Sequence, residues 1–232
     1  MLYWIIKHFF LSSYMRATFR PWVTGLENVP ATGPVILASN HISVADSLFL
    51  PLMLKRKVTF LAKSEYFTGK GLKGFAIRNF MNGIGQLPID RSGGSASEAS
   101  LNSGVQVLRG GGVLGIYPEG TRSPNGKLYR GRTGIARMVL EAKAPVVPVA
   151  MFDTDKSMPI GSKIPKVRRV GVVLGEPLDF SRFEGLEGDR FILRSITDEI
   201  MVEIARLSGQ EYVDVYASTL RQAAARSTAK AA

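Results

Sequence analysis

The chain has 232 residues, enough for one sizeable core, and its 45% hydrophobic and 21% charged content excludes wholesale disorder. It has no cysteine and two histidines, His8 and His41, which removes disulfides, thiolate chemistry and histidine-rich metal sites. A balance of 30 basic to 19 acidic residues gives a net charge of +11, so a polyanionic partner is expected: nucleic acid, an anionic membrane or phosphorylated substrates.

In chain order, the first segment is apolar. Residues 1–11 include Trp4, Ile5, Ile6, Phe9, Phe10 and Leu11, yet they fall short of the about 20 residues that span a bilayer. On a helical wheel His8, Ser12, Ser13, Arg16 and Arg20 share one side, and Ile6, Phe10, Tyr14 and Ala17 the other. That pattern suits an amphipathic helix lying in a membrane interface, or equally a helix packed on its own domain. Buried strands are predicted at Pro34–Ala38, Val58–Ala62, Val113–Tyr117, Val146–Ala150 and Val170–Leu174. Between them, Ser47–Leu54, Gly71–Met81, Ser97–Arg109 and Thr133–Lys143 carry apolar residues at helical spacing, and Asp189–Leu207 reads as a long amphipathic helix.

This alternation predicts a single α/β domain with a largely parallel or mixed central sheet flanked by helices. Residues 1–20 form the N-terminal amphipathic segment, 21–217 the domain, and 218–232 a small, basic, disordered tail. Gly110–Gly115 matches GxGxxG by letter, but it leads into a strand where a dinucleotide fingerprint would follow one, so it reads as a helix stop. The basic runs Lys55–Lys57 and Lys166–Arg169 lack aromatic interleaving and read as solvated strand ends, against nucleic acid.

Chemistry concentrates at three strand ends, where open α/β sheets place their sites. After the first strand comes Ser39-Asn-His41-Ile-Ser-Val-Ala-Asp46. Five positions on a continuous helix would set His41 and Asp46 about 140° apart. Ser43-Val-Ala-Asp46 instead fits a capping box, with Ser43 as N-cap and Asp46 three residues on, turned back toward a histidine in the preceding turn. A carboxylate on one ring nitrogen leaves the other as a base. Taken alone, the segment is also read as a plain capping box beside an incidental histidine. Tyr117-Pro-Glu-Gly-Thr-Arg-Ser123 offers a glycine, a hydroxyl and a guanidinium, the parts of a phosphate or carboxylate site, although Glu119 and Arg122 could form only a structural ion pair. Gly85-Gln-Leu-Pro-Ile-Asp-Arg91 ends another short strand on a charged pair.

Together these segments resemble the glycerolipid acyltransferases. Asn40-His41 with Asp46 is similar to that family's NHxxxxD motif, Gly85–Arg91 to the second motif, Tyr117–Ser123 to the third (PEGTR) and Val146-Val-Pro148-Val to the fourth. The order is the family's, over roughly residues 20–180. Ile42 and Val44 stand where bulkier or polar residues are common, and Pro88 replaces a frequent apolar residue.

The resemblance implies an O-acyltransferase of phospholipid biosynthesis. It would move a fatty acyl group from a thioester, acyl-CoA or acyl carrier protein, to the free hydroxyl of a lysophosphatidic acid-type acceptor. His41 would be the general base, oriented by Asp46. Arg91 and Arg122 would bind the acceptor phosphate, with Gly120 and Thr121 shaping that site, Glu119 holding the acceptor or an arginine, and Lys63 adding a phosphate contact. Backbone N–H groups near the start of the helix after His41 would stabilise the oxyanion. No cofactor and no metal are implied, and the expected place is the cytoplasmic face of the cell membrane, peripheral or monotopic, against an anionic surface. The same motifs serve relatives that act on glycerol-3-phosphate, other lysophospholipids or glycolipids. A basic membrane- or nucleic-acid-binding module without activity is the reading from a different class.

Overall fold

The protein is described by a computed structural model covering residues 12–83, 85–89, 94–162 and 164–220. Its elements are α1 (Ser12–Phe19), β1 (Trp22–Thr24), β2 (Val35–Ser39), α2 (Asp46–Met53), β3 (Val58–Lys63), α3 (Glu65–Thr68), α4 (Gly71–Gly83), β4 (Leu87–Ile89) and α5 (Gly94–Arg109). There follow β5 (Val113–Ile116), β6 (Leu128–Tyr129), α6 (Gly134–Ala142), β7 (Val146–Phe152), α7 (Thr154–Ser157), β8 (Gly171–Leu174), α8 (Arg190–Ser208) and β9 (Tyr212–Val213).

Seven strands form one sheet in the order β1-β8-β7-β2-β5-β3-β4, and β6 pairs with β9 in a separate ribbon. All neighbours in the large sheet are parallel except β7 and β8. β2 lies at its centre and is buried throughout, as an apolar run covered on both faces must be. Its side chains alternate: Val35 and Leu37 enter one core with Phe49, Leu50 and Leu52 of α2, while Ile36 and Ala38 enter a second core. The second core takes Leu108 of α5, Ile135 and Met138 of α6, and the Ile196, Ile200, Ile204 stripe of α8. Asp189 caps α8 by accepting from the amides of Phe191 (2.7 Å) and Ile192 (3.2 Å).

The glycine run stops α5 as expected. Gly112 donates to the Val107 carbonyl (2.9 Å) and Gly111, at φ 72°, to that of Leu108 (2.8 Å), a Schellman pair that turns the chain into β5. Arg56, from a run that sequence leaves in solvent, instead ties three carbonyls together, those of Pro30, Gly33 and Gly111.

Of the expected membrane segment, residues 1–11 lie outside the described residues, as do 221–232 of the tail. α1 sends Met15 and Phe19 into the first core, with the Phe19 ring edge-on to Phe49 at 5.4 Å. Among the described residues no helix is long and apolar enough to cross a membrane.

This topology makes a crevice. The chain leaves β2 through α2 on one face of the sheet and leaves the adjacent β5 toward α6 on the other, so their carboxyl ends diverge.

Candidate active site

At the end of β2 the buried Asn40 side chain continues the ladder to β7, its Nδ2 donating to the Met151 carbonyl (3.2 Å) and its Oδ1 accepting from the Met151 amide (2.8 Å). Asn40 Nδ2 also donates to Gln210 Oε1 at 2.7 Å. That fixes where His41 leaves the sheet. The loop after β5 then holds the His41 backbone from both sides: its N–H donates to Glu119 Oε1 (3.2 Å) and its carbonyl accepts from the Ser123 amide (2.7 Å).

His41 Nδ1 and Asp46 Oδ2 are 2.9 Å apart, with Asp46 fully buried and the histidine side chain 16% exposed. The same Oδ2 accepts from the amides of Ile42 and Ser43, each at 2.9 Å, and Oδ1 accepts from Thr154 Oγ1 at 2.5 Å. Four donors converge on one carboxylate, so the hydrogen on the histidine belongs on Nδ1. Nε2 is left with its lone pair.

The capping box is realised by half. Ser43 N–H does reach Asp46, but α2 begins at Asp46 itself with Ala45 before it. The Ser43 hydroxyl accepts from the Ala45 amide (3.2 Å) and donates to the Met158 carbonyl (2.8 Å). The carboxylate has drawn the amides at 42 and 43 onto itself, and this tightens the turn ahead of the helix. The amides of Ile42, Ser43 and Ala45 are thereby spent within the turn, so they are not among the oxyanion donors expected near the start of the helix.

The His41 ring lies flat on Tyr117, with centroids 3.8 Å apart and 9° between planes. Tyr117 in turn stacks on Phe60 of β3 at 5.4 Å and its hydroxyl meets Ser47 Oγ at 2.8 Å. Burial, then the nearby Asp46 charge, pushes the Tyr117 phenol well above its ordinary pKa, so it serves as a neutral wall behind the imidazole.

Glu119 is buried, and both carboxylate oxygens are engaged: Oε1 by the His41 amide and Oε2 by the Tyr129 amide at 2.9 Å. Burial raises its pKa from 4.5 to about 7; the amides of Tyr129 and His41 pull the other way, and the Asp46 charge adds to the rise. Gly120 follows at φ 72°, a left-handed conformation that favours glycine in this turn. Thr121 and Arg122 sit half-buried on the same loop. Arg91 and the Lys63 side chain lie outside the described residues, although the Lys63 backbone closes β3. Among the described residues no group of three His, Asp or Glu side chains could hold a metal ion.

His41, Asp46 and Glu119 are thus brought together, with Arg122 on the Glu119 loop. Sequence reasoning missed Thr154, the Tyr117 stack and the reach of Gln210. Thr154 stands just past the end of β7, beside β2 in the sheet; that adjacency was the available signal. An imidazole whose Nε2 meets no hydrogen-bond partner among the described residues, backed by a buried carboxylate at the carboxyl edge of a sheet, is equipped to take a proton from a hydroxyl.

Residues 20–152 match a protein-family model described as acyltransferase. The chain is 32% identical over 162 residues to the 1-acyl-sn-glycerol-3-phosphate acyltransferase of Bacillus subtilis, covering 69% of this chain and 74% of that protein. It is 30% identical over 166 residues to a chloroplastic 1-acyl-sn-glycerol-3-phosphate acyltransferase of Arabidopsis thaliana, where it covers 71% of this chain but only 45% of the plant protein. In fold it is similar to the crystal structure of the 1-acyl-sn-glycerophosphate acyltransferase from Thermotoga maritima, with a TM-score of 0.64 at 23% identity over 85% of this chain and 76% of that one.

Proposed function

The chain belongs to the acyltransferase family, and on that premise we propose that it transfers a fatty acyl group from a thioester donor to the free hydroxyl of 1-acyl-sn-glycerol-3-phosphate, giving phosphatidic acid. The observation that carries this reading is the buried Asp46 carboxylate on His41 Nδ1. His41 Nε2 takes the acceptor hydroxyl proton as the oxygen attacks the thioester carbonyl carbon. The tetrahedral intermediate then collapses, the C–S bond breaks, and the departing thiolate recovers the proton from the imidazolium. Asp46 stabilises that imidazolium and keeps its negative charge throughout. A thiolate leaves readily, so this step requires neither a metal nor a covalent enzyme intermediate. General-base help of this kind is worth about 10²–10⁴-fold.

Arg122 and Arg91 hold the acceptor phosphate, since a guanidinium fork suits a phosphate's paired oxygens. Lys63 adds a contact, and Gly120 and Thr121 shape the turn. Glu119 acts through the His41 backbone as a positioning residue. The donor is acyl-CoA or acyl carrier protein, and the enzyme works on the cytoplasmic leaflet as a peripheral or monotopic protein. The relatives' names support the acceptor, and the basic excess of the chain supports an anionic surface and phosphorylated substrates.

A thiol-release assay tests this, with acyl-CoA and acyl carrier protein donors against lysophosphatidate, glycerol-3-phosphate and lysophosphatidylinositol. Turnover is expected with lysophosphatidate and should exceed that with either other acceptor. Arg122→Ala should raise the acceptor KM far more than the donor KM. Preference for glycerol-3-phosphate, or no thiol release with any pair, would overturn the assignment.

A further inference from the structure

α4 carries large apolar side chains on its outward side as well as its inward one. Gly74 is buried, with Ile77 and Met81 half-covered on the same side. Leu72 (90% exposed), Phe75 (58% exposed) and Ala76 point away from the protein on the opposite side. Tyr66, on the adjoining α3, is itself 42% exposed. A globular helix ordinarily turns such residues to the core. Here the turn between α3 and α4 prevents it: a Cβ on Gly74 would stand 2.2 Å from the Gly69 backbone, and Gly71 sits at φ 71°. The two helices are locked together through glycine, and Leu72 and Phe75 are held outward.

The charge along α4 is basic. Between Tyr66 and Gly83 the chain carries Lys70, Lys73 and Arg78 and no acidic residue, with the exposed Glu65 at the far end of α3 as the nearest carboxylate in sequence. All three cations are exposed, and the Arg78 guanidinium lies 5.9 Å from the Phe75 ring centroid. Apolar side chains ringed by cations fit the boundary between acyl chains and anionic headgroups. Position agrees. β3 is parallel to β5, and β5 to β2, so β3 ends at Lys63 on the same carboxyl edge as the His41 turn, and α3 and the first turn of α4, with Leu72, follow it within nine residues.

We propose that the outward face of α4, Leu72 and Phe75 with the neighbouring Lys70 and Lys73, is a docking surface for an anionic lipid leaflet, a contact separate from residues 1–20. It deepens the interfacial part of the proposed function: the edge that holds the catalytic turn faces the bilayer from which an amphiphilic acceptor would come.

The test is sedimentation of the full-length protein with phosphatidylcholine vesicles, with and without phosphatidylglycerol, in the absence of substrate. Leu72→Glu/Phe75→Glu should lower partitioning onto the anionic vesicles by at least about tenfold. Lys70→Gln/Lys73→Gln should lower it specifically where phosphatidylglycerol is present. Both double variants alter exposed side chains, and unchanged thermal midpoints would show that the fold is kept. Thiol release with a short-chain, water-soluble acceptor should stay at the wild-type rate. Vesicle binding unaltered in Leu72→Glu/Phe75→Glu would overturn the proposal. So would a change from dimer to monomer in that variant, since the face would then belong to a second copy of the chain. Absence of acyl transfer with vesicle binding behaving as expected would count against the chemistry alone.

Discussion

At Glu119, burial lifts the carboxyl pKa from 4.5 to about 7 while two amides hold its oxygens in place. A carboxyl whose folded pKa is raised stabilises the fold fully below its unfolded value, and that contribution is lost as pH rises toward the folded value. The window is therefore about pH 4.5 to 7, and the size is of the order of ~3 kcal/mol. Glu119→Gln should flatten the fall in stability across that window. It should also lower stability at pH 5, because its amide NH2 would confront one of the two backbone N–H groups at a cost of about 1–3 kcal/mol. Denaturant unfolding at a series of pH values checks both effects. A slope as steep in the variant as in the wild type would show that another group titrates there. The sequence marked Glu119 as a site residue, but not that it spends both oxygens on backbone amides. Those bonds reach His41 and Tyr129, 78 and 10 positions away, and such pairing exists only once β2, β5 and β6 are assembled.

At the scale of elements, β3 and β5 support the catalytic ring through a glycine. Gly115 is the ladder partner of Phe60, and a Cβ on it would stand 2.4 Å from the Phe60 ring. Phe60 backs Tyr117, and Tyr117 backs His41. Gly115→Ala should therefore cost about 1–3 kcal/mol through overpacking and should also lower kcat, although it touches neither substrate nor His41. Thermal unfolding beside steady-state kinetics separates the two effects. A lowered midpoint with an unchanged kcat would mean that the ring stack does not position the imidazole. The strands that position the site were legible because each is a continuous apolar run: the runs predicted at 34–38, 113–117 and 146–150 became β2, β5 and β7 within two residues. β1 and the ribbon strands β6 and β9 were not legible. They have two or three residues each, too few for a period to register.

For the whole molecule, the alternation of strands and helices was enough to give one α/β layer structure with a core on each face. The reversal of β8 was not readable, since an apolar strand carries no mark of its direction. Nor was the return of the C-terminal segment, where β9 pairs with β6 and Gln210 ties Asn40 to the Gly126 carbonyl (2.6 Å) from 170 positions away. The site is a product of that assembly: His41 and Asp46 come from the end of β2, Glu119 follows β5, and Thr154 follows β7. The central claim is that this arrangement makes His41 the base for acyl transfer, and kcat/KM for thiol release with lysophosphatidate in His41→Ala and Asp46→Asn tests it most directly. Both should fall by about 10²–10⁴-fold with the protein still folded by thermal unfolding, and added imidazole should restore part of the activity to His41→Ala only. Turnover near the wild-type level in folded His41→Ala would contradict the account.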